Sequence, residues 1–110
     1  MSNITTHVLD TSIGRPAPGI PVILELKQQQ WEQIGSGTTN ADGRVTDLTD
    51  NRLTAGHYRI SFALTDYFTS QKVDAFYPAA KVEFIINDPD QHFHVPLLLN
   101  PFGYSTYRGS

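Results

Sequence analysis

The stretch His92-Phe93-His94-Val95-Pro96-Leu97-Leu98-Leu99-Asn100-Pro101-Phe102-Gly103-Tyr104-Ser105-Thr106-Tyr107-Arg108-Gly109-Ser110 decides the reading of this chain. Its first half alternates. Successive side chains of an extended segment point to opposite faces, so Phe93, Val95, Leu97 and Leu99 share one side and His92, His94, Pro96 and Leu98 the other. The first side reads as core. The second sets two imidazoles beside apolar residues, the composition of a wall lining something other than bulk water. Asn100-Pro101 and Gly103 then turn the chain into a tail rich in aromatic and hydrogen-bonding groups. Most termini fray, and Tyr104 and Tyr107 would be wasted on a free one, so the tail is expected to fold back on the protein. Glycine at 109 permits a sharp turn that would carry Ser110 and its carboxylate toward the histidines.

Outward from there, the same period of two recurs. Ile4 to Asp10 reads as a strand with Thr5, His7 and Leu9 on one face and Thr6, Val8 and Asp10 on the other. Gly14-Arg15-Pro16-Ala17-Pro18-Gly19 is a turn-rich loop. Pro21 opens a strand with Val22, Leu24 and Leu26 inward. Trp31 to Ile34 reads as its partner, ending in a turn at Gly35-Ser36-Gly37, and Asn40-Ala41-Asp42-Gly43 is a strong turn signal directly before Arg44. Leu48 and Leu53 are expected to pack beneath an irregular segment closed by Gly56. His57 to Leu64 alternates clearly, with Tyr58, Ile60, Phe62 and Leu64 on one side. Thr65-Asp66 reads as the cap of a short helix over Tyr67 to Lys72, stopped by Tyr77-Pro78. Lys81 to Ile86 alternates again, and Asn87-Asp88-Pro89-Asp90 turns the chain into the final strand. The pattern is that of an all-β protein, an antiparallel β-sandwich of seven to eight strands with one short helix. The crossover helices of a parallel α/β sheet are missing.

Composition narrows the functions. The 110 residues suit a single domain, and a globule of this size buries about 65% of its extended-chain surface. A net charge of −3 with no basic stripe argues against nucleic acid or an anionic membrane as partner. No apolar run approaches the roughly 18 residues a membrane span needs, and MSNITTHVLD lacks the basic and apolar regions of a secretory leader. The expected location is therefore cytoplasmic, or periplasmic if a leader has been removed. The absence of cysteine excludes disulfides, cysteine nucleophiles and thiolate metal sites together.

His7 and His94 are the first candidates for chemistry, because each lies on the strand face that is not obvious core. Imidazole is the side chain best matched to taking a proton from water at neutral pH, although a histidine on a half-exposed strand is more often structural. His92-x-His94 with His7 as a third ligand also fits a zinc site, a spacing that chance produces easily. Arg44 reads either as a solvated arginine beside a turn or as a planar fork for a carbonyl-rich or anionic ring. His57 reads as a surface histidine. No Gly-x-Ser-x-Gly elbow occurs, which argues against a serine-hydrolase mechanism, and with no phosphate-binding glycine loop nucleotide hydrolysis is excluded.

The ending YRGS, preceded by HVPLLL-x-P-x-GYST, together with THVLD at Thr6 to Asp10, resembles the transthyretin-related 5-hydroxyisourate hydrolases of urate breakdown. The likeness runs from about Thr6 to Ser110. It implies a prealbumin-like (transthyretin-like) sandwich and a hydrolase that needs neither metal nor other cofactor. It also implies a homotetramer, a dimer of dimers, with active sites at the subunit interface. By the same likeness His7, Arg44, His94 and Ser110 are catalytic, and His7, Arg44, Tyr107 and Arg108 bind the substrate. The competing family reading is a non-catalytic transthyretin-like carrier of small ligands; transthyretins proper lack the His7, Arg44, His94 and YRGS set. Departures are small: Phe93 stands where tyrosine is common, Asn100 where serine is common, and Phe102 is an aromatic exchange.

Overall fold

In the computed structural model, which describes residues 4–49 and 52–109, the alternating segments become two sheets packed face to face. Among these residues the strands are β1 (Ile4–Asp10), β2 (Arg15–Pro16), β3 (Pro21–Lys27), β4 (Trp31–Thr38), β5 (Arg44–Val45), β6 (Gly56–Ala63), β7 (Ala79–Ile86), β8 (Phe93–Asn100) and β9 (Gly103–Thr106), with α1 (Thr65–Ser70) between β6 and β7. One sheet runs β2-β1-β8-β9, with β5 also on β1; the other runs β4-β3-β6-β7. Since β8 takes one edge of β1, β5 and β2 share the other, at Thr6–His7 and at Leu9–Asp10 respectively. Seven strands of four or more residues, plus two fragments of two, match the sandwich expected from sequence.

One pairing departs from the antiparallel rule. β1 and β8 run parallel, Ile4 opposite Phe93 through Asp10 opposite Leu99. Nothing in the local pattern announces this, because side-chain parity is the same for either direction and most of the chain serves as the connection.

The core is what the alternation specified. Ile4, Val8, Phe93, Val95, Leu97 and Leu99 of the first sheet meet Val22, Leu24, Tyr58, Ile60, Phe62 and Val82 of the second, all buried. A large apolar side chain enclosed in this way contributes about 1.5–3 kcal/mol. Tyr58 brings a hydroxyl into that core, and it is satisfied there, donating to the Thr54 carbonyl at 2.7 Å and accepting from the Thr54 amide at 3.1 Å. Leu48 and Leu53 pack beneath the segment between β5 and β6, as expected.

Three local expectations are corrected. Gly35-Ser36-Gly37 is no turn but the second half of β4. Its glycines mark a close approach instead: a Cβ on Gly35 would lie 2.1 Å from the Leu48 carbonyl oxygen. Thr65-Asp66 does not cap α1. Leu64 is the N-cap without a side-chain bond, and the Thr65 hydroxyl reaches across to the Pro78 carbonyl at 3.5 Å. Nor does Tyr77-Pro78 stop the helix. It ends at Ser70 with Gln71 as C-cap, and Lys72, held at φ 59°, closes it, where Val73 N–H bonds Phe68 O and Lys72 N–H bonds Thr69 O. This left-handed closure usually takes glycine, and lysine gives no such signal. The helix is tied to β1 through Tyr67, whose hydroxyl donates to Oδ2 of the buried Asp10 at 2.7 Å. Burial, then Asp10, pushes the Tyr67 pKa up, so it remains a donor. Among the described residues no helix is long and apolar enough to cross a membrane.

Candidate active site

The outer face of the first sheet carries the chemistry. Register places it there: Thr5 lies opposite His94, His7 opposite both Pro96 and Arg44, and Leu9 opposite Leu98. With about 4.8 Å between strands and about 3.3 Å per residue along them, His7 and His94 form a diagonal pair about 8 Å apart at their Cα atoms. Pro96 is buried and Leu9 and Leu98 are half-buried around them. This is the apolar wall expected beside the histidines.

Arg44 reaches the face through the turn before it. Asn40 Oδ1 accepts from the amides of Asp42 at 2.9 Å and Arg44 at 3.0 Å, and the Gly43 amide donates to Asn40 O at 2.9 Å. Gly43 sits at φ +73°, and a Cβ there would lie 2.4 Å from Val8 O. Glycine is therefore required twice, for the left-handed backbone and for the contact of the turn with β1. The Gly43 carbonyl then accepts the Val8 amide at 2.7 Å, fixing Arg44 beside His7.

Burial and the neighbouring guanidinium favour the neutral form of both imidazoles. Burial lowers the His7 pKa, and the Arg44 guanidinium lowers it further; a hydrogen bond to the Asp42 main chain and the Asp42 charge oppose this in part. Burial also lowers the His94 pKa, followed by Arg44, His7 and His92. A neutral ring keeps one nitrogen lone pair, the form a base requires. The Thr5 hydroxyl lies 2.8 Å from His94 Nδ1 and 3.1 Å from His92 Nε2. Thr5 was visible in sequence only as a neighbour of His7 in the alternation; its place between two imidazoles depends on the parallel register. Among the described residues no three histidine or acidic side chains converge to hold a metal ion. His57 is a surface histidine, 2.8 Å from Glu83 Oε1.

The tail folds back as β9, antiparallel to β8. It continues to Gly109, whose amide donates to His94 O at 2.8 Å. The glycine serves close approach, since a Cβ would lie 2.6 Å from His94 Cδ2, well inside carbon contact distance. Gly109→Ala is therefore expected to displace the His94 ring or the tail, lowering turnover severalfold while thermal unfolding moves little; paired turnover and melting measurements check this. Arg108 turns the other way, donating to Gln91 Oε1 at 2.9 Å with its guanidinium 4.7 Å over the Phe93 ring. Arg108 and the exposed Tyr107 line a cleft of about 230 Å³ at the sandwich edge, with Val82, Phe84, Phe93 and Val95. No imidazole lines that cleft. The structure thus brings His7, Arg44 and His94 together and sets Tyr107 and Arg108 at the edge, while Ser110 lies outside the described residues.

The model of the HIUase/Transthyretin family matches residues 4–109. The chain belongs to this family. A relative from Salmonella typhi named 5-hydroxyisourate hydrolase is 48% identical over 99% of this chain and 82% of its own. The solved structure of Klebsiella pneumoniae 5-hydroxyisourate hydrolase superposes with a TM-score of 0.86, at 36% identity over 97% of this chain and 98% of that one. Sea bream transthyretin in complex with thyroxine superposes with a TM-score of 0.90, at 32% identity over 98% of this chain and 95% of that one. A hydrolase and a transthyretin thus superpose on the same backbone, and the fold alone does not separate them.

Proposed function

We propose that this chain hydrolyses 5-hydroxyisourate to 2-oxo-4-hydroxy-4-carboxy-5-ureidoimidazoline, as a single hydrolase domain acting in urate degradation. One observation carries the reading: two imidazoles, in surroundings that favour the neutral ring, share a sheet face with Arg44, whose backbone is fixed by the turn before it. A neutral His7 or His94 takes a proton from water as it attacks the ring amide carbonyl. Arg44 holds the heterocycle and stabilises the negative charge that develops on oxygen. The C–N bond then breaks, and the imidazolium returns its proton to the departing nitrogen. The chain's own groups suffice for these steps, without a cofactor.

The apolar surround of the imidazoles favours a covered site, and a homotetramer of the transthyretin type, a dimer of dimers, would supply the cover from a neighbouring copy. In this reading Tyr107 and Arg108 bind the substrate and Ser110 joins the catalytic set. The carrier reading draws on the sea bream transthyretin superposition. One measurement separates the two. 5-Hydroxyisourate generated freshly by urate oxidase is expected to lose its ultraviolet absorbance much faster with this protein, and an unchanged decay leaves the carrier reading standing.

A further inference from the structure

Thr5 has no role in the reaction above, yet its hydroxyl bridges His94 Nδ1 at 2.8 Å and His92 Nε2 at 3.1 Å. The backbone pairing of Thr5 with His94 places it there. A hydroxyl owns one proton and two lone pairs, and the two rings are its partners among the described residues; its proton is used within this pair when it donates to one ring and accepts from the other, which links the two tautomers. Two arrangements keep the hydroxyl proton within this pair. If Thr5 donates to His94 Nδ1, neutral His94 carries its proton on Nε2 and offers the site a donor. If His94 donates from Nδ1 and Thr5 passes its own proton to His92, His94 Nε2 keeps its lone pair. Arg44 favours the second, because a guanidinium has no acceptor for an Nε2–H and its charge attracts a lone pair.

His7 differs in one respect. Its ring bonds the Asp42 main chain, which accepts a hydrogen bond but takes no proton onward. Opening a lactam with water yields a carboxylic acid that ionises at neutral pH, so each turnover leaves one proton to be removed from a half-buried site. His92 is exposed.

We infer that Thr5 is a positioning residue that fixes His94 in its Nδ1–H tautomer, making His94 the base, and that His94, Thr5 and His92 form the path by which the proton leaves. Nε2 of His94 takes the proton from water, returns it to the departing nitrogen as the C–N bond breaks, and then takes the proton that the carboxylic acid product releases. The Nδ1 proton moves to the Thr5 oxygen as the Thr5 proton moves to His92 Nε2, and His92 releases its Nδ1 proton to solvent. Once product has left, His94 loses its Nε2 proton to water while His92 Nδ1 takes one up and the same chain runs in reverse, restoring the Nδ1–H tautomer. This inference rests on the hydrolase reading. The groups facing His94 are Thr5 and His7 of β1, Arg44 of β5, His92 before β8, and the Gly109 main chain.

The tests use the full chain. A nitrogen-15 correlation spectrum of the imidazoles is expected to show His94 protonated at Nδ1 and bare at Nε2; an Nε2–H tautomer overturns the inference without any variant having to fold. Thr5→Val is expected to lower kcat about tenfold, the weight of one hydrogen bond to an aligned group, with KM little changed. The acid limb of its kcat/KM profile moves to lower pH, because the His94 cation loses its Nδ1–H acceptor. Thr5→Ser is expected to restore both. A valine variant with unaltered kcat and pH profile, or a serine variant as impaired as valine, overturns the proposal. Wild-type turnover separates the two readings. Its absence removes the hydrolase reading, whereas turnover with an Nε2–H tautomer removes only this inference.

Discussion

His94→Asn is expected to lower kcat by about 10²–10⁴, the usual contribution of a positioned general base. Asparagine retains groups that bond Thr5 but cannot take a proton. The pH profile makes the test specific. In the wild-type protein the base must be neutral, and burial, then Arg44, His7 and His92, lower the His94 pKa from 6.5, so activity falls only below that pH. The asparagine variant should lose that limb along with its rate, while His7→Asn keeps it. A His94→Asn protein that retains most of its turnover, or an acid limb that vanishes only in His7→Asn, would transfer the base role. Stability follows the same sign. With folded pKa values below the unfolded 6.5, His7 and His94 leave stability intact above pH 6.5, and it is lost as pH falls from there through the folded values.

Arg44→Ala is expected to cost about 10²–10³ in kcat, the weight of one preorganised donor on a developing oxyanion. Arg44 is exposed and follows a turn held by main-chain and Asn40 bonds, so the fold should survive. Lysine should recover little, since it lacks the planar paired donors. A second effect accompanies the first. Arg44 lowers the pKa of both His7 and His94, so removing it moves the acid limb to higher pH, opposite to the shift expected for Thr5→Val. An Arg44→Ala protein with full turnover and an unmoved limb would show that the guanidinium faces solvent only.

Most of the architecture was legible because burial follows parity. Phe93, Val95, Leu97 and Leu99 alternate with His94 and Leu98, and the period of two alone assigns core and outer face. Asn40-Ala41-Asp42-Gly43 was legible because a left-handed turn has few substitutes for glycine. What escaped depends on contacts remote in sequence. Gly35 resembles a turn residue until Leu48 is laid against it, and the helix stop at Lys72 carries no glycine. Thr5 is an ordinary strand residue until register sets it beside His94. For the same reason His7, Arg44 and His94 could be nominated singly but not joined: alternation gives a face, and only strand order gives neighbours. Arg108 shares the parity of Thr106, whose partner Leu97 faces the core, so its side chain turns to the edge cleft rather than toward His94.

The parallel pairing of β1 with β8 governs when the protein becomes competent. The hydrogen bond between Thr5 and His94 spans 89 positions, and drawing together points so remote carries an entropic cost that short hairpins avoid. His7 and Arg44 meet across a far shorter stretch of chain. A polypeptide emerging from the ribosome therefore holds half a site through the making of the 89 positions between Thr5 and His94, and the reactive face is completed only when β8 docks beside β1.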